Sequence, residues 1–163
     1  MRYHTHLMVT YAAAMPVLVS TGQLTVGTAV ALGIGAVFPD IDHPKSFIGN
    51  RTGGISHGIG MVFGHRGLAH SLAGAAVVLF LTGLLVSALN LPTIWGDYFI
   101  IGYIAHLIED SFSKTGVAWF QPIYSKRIQF GFRKVYYTTG KFSETIIFLI
   151  AFCGLMYQIS LLF

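Results

Sequence analysis

Apolar residues fall in five runs, at positions 7–20, 24–38, 72–91, 98–108 and 145–163, separated by polar or glycine-rich stretches. Only Thr21, Gly22 and Gln23 divide the first two, and the third carries no charged residue. Long runs without strict alternation predict helices that are hydrophobic on every side, as in a membrane, rather than half-buried strands. A helix needs about 20 residues to cross a bilayer, so 72–91 is the clearest crossing. The first two runs are short, which suits tilted neighbours, a thinned bilayer or helices partly covered by protein. Ala12, Ala13, Ala14, Gly27, Gly33 and Gly35 permit close backbone approach between them. The expected fold is all-α: one integral membrane helical bundle over 1–163 with about five transmembrane helices.

Two longer linkers set the orientation. Residues 39–71 are glycine-rich, carry Lys45, Arg51 and Arg66, and read as an irregular loop with a short interfacial helix at 55–63. Residues 111–143 hold Lys114, Lys126, Arg127, Arg133, Lys134 and Lys141 and no acidic residue. Loops rich in Lys and Arg stay in the cytoplasm. This predicts the amino terminus, 39–71 and 111–143 inside, with 21–23, 92–97 and the carboxyl terminus outside. Trp119, Tyr124, Tyr136 and Tyr137 among those basic residues read as an aromatic and cationic belt at the headgroups, with anionic lipid rather than nucleic acid as partner.

Composition agrees. The chain is 54% hydrophobic and 10% charged, with a mean hydropathy of +0.67, against about 25% charged in soluble domains. Cys153 is the single cysteine, which rules out a disulfide framework within the chain. Residues 1–11 contain one charged residue and two histidines, and no small-residue cleavage site follows, so the first helix is expected to be retained rather than removed as a signal peptide.

The topology also sorts the chemistry. His6 begins the first helix, Asp40 and Asp42 end the second, His65 and His70 precede the third, and His106 and Asp110 end the fourth, all on the cytoplasmic side. Ionisable groups at membrane borders are costly and call for a shared partner, and imidazole with carboxylate is the ligand chemistry of zinc and similar divalent ions. His106 and Asp110, four apart, share one helix face, as a metal clamp or as a plain hydrogen bond at a helix end. Asp40 and Asp42, between Pro39 and Pro44, point to one side of an extended chain and repel unless a cation or proton lies between them; a solvated helix cap is the alternative. His43 is a weaker candidate that suits water equally well. His65 and His70 would diverge by about 140° on a regular helix, but Gly64 and Gly67 permit a bend that brings them together. Arg66 between them suits a phosphate or carboxylate oxygen, or a lipid headgroup. Ser71 reads as a helix cap. Glu109 and Glu144 are candidates for a general base or a further ligand, whereas His4 and His57 lack a partner at useful spacing.

Thr5-His6, Phe38-Pro39-Asp40-Ile41-Asp42-His43-Pro44, Gly64-His65-Arg66-Gly67-Leu68-Ala69-His70-Ser71 and His106-Leu107-Ile108-Glu109-Asp110, in that order, resemble the YdjM-type family of bacterial inner-membrane proteins, described as membrane-bound metal-dependent hydrolases. The resemblance runs from residue 5 to about residue 122. It implies that His6, Asp40, Asp42, His65, His70, His106 and Asp110 are the metal-site positions. The H-x-x-x-D helix with a mixed His and Asp set is also similar to zinc-dependent phospholipase C, an all-helical phosphodiesterase. The expected function is hydrolysis of a lipid phosphate ester at the cytoplasmic face of the inner membrane, with one or two divalent metals, zinc first and manganese or magnesium as alternatives. A carboxylate such as Asp42 would bridge two ions, Glu109 or a bridging Asp would be the base, and Arg66 would steady the phosphoryl charge. The rival expectation is a membrane protein with a structural metal site, or an ion or metal transporter.

Overall fold

A computed structural model describes residues 1–42 and 68–162, without the side chains of Ile41 and Asp42. The described residues form five α-helices: α1 Tyr3–Ser20, α2 Val26–Val37, α3 Leu72–Ala88, α4 Thr93–Ser111 and α5 Phe142–Ser160. A 3-10 turn, Phe38–Asp42, continues α2. Among these residues there is no strand beyond two isolated bridges in the last loop, Ser113 with Tyr137 and Val117 with Ile128. The fold is therefore all-α. The helix expected at 55–63 lies outside the described residues.

Local chemistry explains the boundaries. Thr25 caps α2 in a reciprocal box, its hydroxyl accepting from Thr28 N–H at 3.2 Å while its own N–H donates to Thr28 Oγ1 at 3.1 Å. Ser71 caps α3, as expected, by accepting from Gly74 N–H at 3.1 Å. That helix stops at Ala88, short of the expected position 91. Asn90 takes a φ of 51°, while Leu91 N–H reaches back to the Val86 carbonyl and Asn90 N–H to that of Ser87, at 2.9 and 3.2 Å. This pair of bonds is the left-handed helix ending for which Asn is the usual second choice after Gly. At α4 the correction runs the other way. The apolar run is expected from 98, with 92–97 as a loop, yet the helix begins at Thr93, directly after Pro92, whose fixed φ suits a helix start.

Helices α2 and α4 pack most tightly. A Cβ on Gly102 would strike the Leu32 carbonyl, and one on Gly35 would strike that of Phe99, so each helix lies directly on the other's backbone. Leu18, Leu32 and Tyr98 form one buried cluster and Ala75, Tyr103 and Leu107 another. Outside them, α3 leaves Val77, Leu79, Phe80, Leu81, Leu84 and Leu85 exposed, and α5 leaves Ile146, Leu149, Ile150, Phe152 and Met156 exposed. Apolar faces of this extent suit lipid contact. Among the described residues one helix, α5, is long and apolar enough to cross a bilayer. The 12 residues of α2 extend only about 18 Å at the α-helical rise, against a hydrocarbon core of about 30 Å.

Candidate metal centre

Five of the seven expected ligand positions meet at one end of the helices. His6 lies in the first turn of α1, Asp40 in the turn after α2, His70 two residues ahead of α3, and His106 and Asp110 near the end of α4. His6, His70 and His106 are buried and Asp40 and Asp110 are partly so. The Asp42 side chain, His65 and Arg66 lie outside the described residues.

The α2 to α4 crossing places His106 beneath the last turn of α2, where its Nδ1 stands 2.7 Å from the Ala36 carbonyl oxygen. That carbonyl is one of the groups a helix end leaves without an internal partner. Donation from Nδ1–H to it fixes the tautomer and leaves the Nε2 lone pair facing inward, the arrangement of a metal-binding imidazole. The atoms that Nε2 faces are His70 Nε2 at 3.3 Å, Asp110 Oδ2 at 3.8 Å and Asp40 Oδ1 at 3.9 Å. His70 Nε2 in turn stands 3.7 Å from Asp40 Oδ1 and 3.9 Å from Asp110 Oδ2. Donors about 2.1 Å from a tetrahedral zinc would be about 3.4 Å apart, so Asp40, His70 and His106 are close enough to one another to be donors to one ion, with Asp110 beside them.

His6 supplies a second group, with His106 and Asp110. Its ring stacks on His106 with centroids 3.8 Å apart. His6 Nδ1 lies 2.5 Å from Glu109 Oε2, and Thr10 Oγ1 donates to Glu109 Oε1 at 2.8 Å. With Nδ1–H given to Glu109, Nε2 turns its lone pair toward Asp110 Oδ1 at 3.4 Å; buried, it has no hydrogen-bond partner among the described residues. Two acceptors facing each other in a dry site call for a cation or a proton between them. Asp110 turns Oδ1 toward His6 and Oδ2 toward His70 and His106, and His106 is common to both groups. The His and Asp groups are positioned to hold a metal ion.

Glu109, expected as a general base or further ligand, has both oxygens engaged, one by His6 Nδ1 and one by Thr10 Oγ1, and stands behind the His6 ring. Tyr137 departs from expectation: expected in the exposed aromatic belt, it is buried, and its hydroxyl donates to Asp110 Oδ1 at 2.8 Å. The Met1 ammonium reaches the same oxygen at 2.7 Å, so positive charge borders this carboxylate. Burial first, and the Asp110 charge next, push the Tyr137 phenol well above its ordinary range. Trp119, another belt candidate, turns inward to donate from Nε1 to Ser111 Oγ at 2.8 Å. Glu144 opens α5 and accepts the backbone N–H groups of Arg2 and Gly140, each at 2.5 Å, tying the chain start to that helix.

A cavity of about 260 Å³ opens beside Asp40, His70 and Asp110. Its remaining lining includes Ser113, Lys114, Thr115, Arg127, Tyr137, Thr138 and Thr139 from the last loop. The donor set therefore meets an open, polar space.

The chain resembles known proteins. Over 87 residues, 53% of the chain, the sequence is 38% identical to the inner membrane protein YdjM of Escherichia coli (strain K12) and equally to that of Shigella flexneri. That match spans 44% of each relative's length, so the chain aligns with less than half of those proteins. It is 30% identical to YvsG of Bacillus subtilis (strain 168) over 143 residues, 88% of this chain and 84% of that one. No solved structure gives a significant match. The sequence pattern of the YdjM inner membrane proteins matches residues 1–162, with homologues whose names place them in the inner membrane, and the chain belongs to that family.

Proposed function

We propose that this protein is a multi-pass hydrolase of the inner membrane that uses one or two divalent metals, zinc first, to cleave a phosphate ester of a lipid at the cytoplasmic surface. The observation that carries the reading is the convergence of Asp40, His70 and His106, with Asp110 beside them, next to a polar cavity that Asp40, His70 and Asp110 line. An ion bound there would supply Lewis acidity, drawing charge from a phosphoryl oxygen and acidifying water. The chain's own residues do the rest. Ala36 and Glu109 hold His106 and His6 in the binding tautomer, and Asp110 would help hold the ion, with Oδ1 toward His6 and Oδ2 toward His70 and His106. The last loop walls the cavity with cationic and hydroxyl groups. The phosphoryl role expected of Arg66 belongs to this proposal and lies outside the described residues. Lipid-facing α3 and α5 and the six basic residues of 111–143 support a five-span bundle with the site inside.

One observation favours a second reading. A donor set closed by protein side chains is the habit of structural zinc, and with Asp110 beside Asp40, His70 and His106 the ion would staple the turn after α2, the start of α3 and α4 together without catalysis. Placement at one end of the helices supports either reading over transport, which calls for a midplane site.

Elemental analysis of purified wild type against His106→Ala and Asp110→Ala is the first test; bound metal in wild type and its loss in both variants are expected. A screen of phospholipids and lipid phosphates with metal-loaded protein in detergent is the second. Full metal content in both variants removes the site. Metal that is required for folding, with no turnover on any phosphoester, selects the staple.

A further inference from the structure

The cavity has a second wall that metal binding does not use. Asp40, His70 and Asp110 line it in part; the rest of the lining includes Lys114 and Arg127 of the last loop with the hydroxyl-bearing Ser113, Thr115, Thr138 and Thr139. This wall is held in shape by its own backbone. Lys114 N–H donates to the Tyr137 carbonyl at 3.0 Å, and Val117 and Ile128 exchange both backbone hydrogen bonds at 3.0 and 2.8 Å. Arg127 Nη1 donates to the Gly116 carbonyl at 3.3 Å, and Gly116 N–H donates to Ser113 Oγ at 3.2 Å. The Lys114 backbone and the Arg127 guanidinium are thereby held in the lining of the cavity. No acidic residue in 111–143 neutralises the two side chains, and the Lys114 ammonium makes no contact among the described residues. The carboxylates lining the cavity, Asp40 and Asp110, already face imidazoles, and Asp110 also takes the Met1 ammonium.

We propose that this wall is an anion subsite and that it takes a terminal phosphoryl group. Lys114 and Arg127 would hold two of its oxygens and a third would point at the His and Asp donors. Two cations with hydroxyl donors match a dianion with three free oxygens better than a singly charged carboxylate or a phosphodiester. The cavity has room for a phosphoryl group, and its charged and hydroxyl lining suits such a group rather than an acyl chain. The rest of the substrate therefore stays outside, in the bilayer for a lipid phosphate or in water for a soluble monoester. The inference rests on the phosphoester reading above and narrows it to monoesters and diphosphate ends.

The test is equilibrium binding, which does not depend on turnover. Metal-loaded protein in detergent is titrated calorimetrically with inorganic phosphate and with short-chain phosphatidic acid, and metal content is measured in each variant. Lys114→Ala and Arg127→Ala should each weaken phosphate binding about tenfold, the size of one charged hydrogen bond, with metal content unchanged, while Lys114→Arg keeps the affinity. Tighter binding of phosphatidic acid than of phosphate assigns the lipid source, and equal binding assigns a soluble one. Wild-type affinity in the Lys114→Ala/Arg127→Ala double variant overturns the subsite, as does metal-loaded wild type that binds no phosphate. Phosphate binding without hydrolysis of any ester would sink the hydrolase and leave the subsite standing.

Discussion

His6 Nδ1 and Glu109 Oε2 lie 2.5 Å apart across the buried contact of α1 with α4, and this one hydrogen bond decides which face His6 turns to the site. With Nδ1–H given to Glu109, the Nε2 lone pair has only the Asp110 side to face. A carboxylate behind a metal-binding imidazole holds its tautomer and raises its basicity, and its loss costs about 10- to 100-fold in metal affinity. Glu109→Gln should therefore weaken metal binding by that order, read by competition with a chromogenic chelator. Unchanged affinity together with lost turnover would return Glu109 to the role of general base.

The parts of the site that were legible in the sequence are those that a single element determines. His106 and Asp110 share a face because four residues make about one turn of helix, and the Ser71 cap needs only its own next turn. Asp40 and His70 are in place because a Pro-flanked turn and a capped helix start sit where the apolar runs end. Tyr137 was not legible: it reaches Asp110 across 27 positions from a loop that has no period. Lys114 and Arg127 counted only as markers of sidedness, since nothing in their spacing says that the loop lines a cavity with the donors. Helix α4 starts five residues before the apolar run at 98–108 because a helix start depends on backbone and cap, here Pro92, rather than on where the apolar run begins.

The α2 to α4 crossing positions the Ala36 carbonyl on His106, so packing and metal binding are coupled. A methyl at Gly102 would meet the Leu32 carbonyl and force the helices apart. Gly102→Ala should destabilise the fold by about 1–3 kcal/mol, the usual cost of overpacking, and weaken metal binding as well. Thermal unfolding in detergent and the chelator competition measure the two effects. A lower midpoint with unchanged metal affinity would uncouple the crossing from the site.

Tyr137 gives the site a signature in alkali. Its phenol is raised above the ordinary value of 10.0, by burial first and then by Asp110, so the folded protein keeps this proton where the unfolded chain loses it. Stability from this group is fully present below about pH 10 and declines above it, because the unfolded state there binds fewer protons than the folded one. In a phenolate absorbance titration, native wild type and Tyr137→Phe should superimpose up to about pH 11, an interval that spans the reference tyrosine value. A difference of one tyrosine appearing near pH 10 would place the hydroxyl in water and away from Asp110.

Sidedness is open to a chemical test because the chain has one native cysteine. In a Cys153→Ser background, single cysteines replace Ser20, at the link between α1 and α2, and Lys126, in the basic loop; both positions are exposed. If the six uncompensated positive charges of 111–143 hold that loop in the cytoplasm, an impermeant maleimide should label Ser20→Cys in intact spheroplasts and Lys126→Cys only after lysis. The pattern also locates the metal centre, since Lys114 and Arg127 of the same loop line its cavity. A lipid phosphate of the inner leaflet, or a phosphomonoester in the cytosol, then has direct access. Labelling of Lys126→Cys in intact spheroplasts would turn the cavity outward, and the substrate would have to come from the outer leaflet or the periplasm. Labelling of both cysteines before lysis would mean that α1 and α2 do not carry the chain across, which their short apolar lengths make a real outcome. In that event α1 and α2 would lie at one surface, with α5, the helix long and apolar enough to cross, left as the anchor.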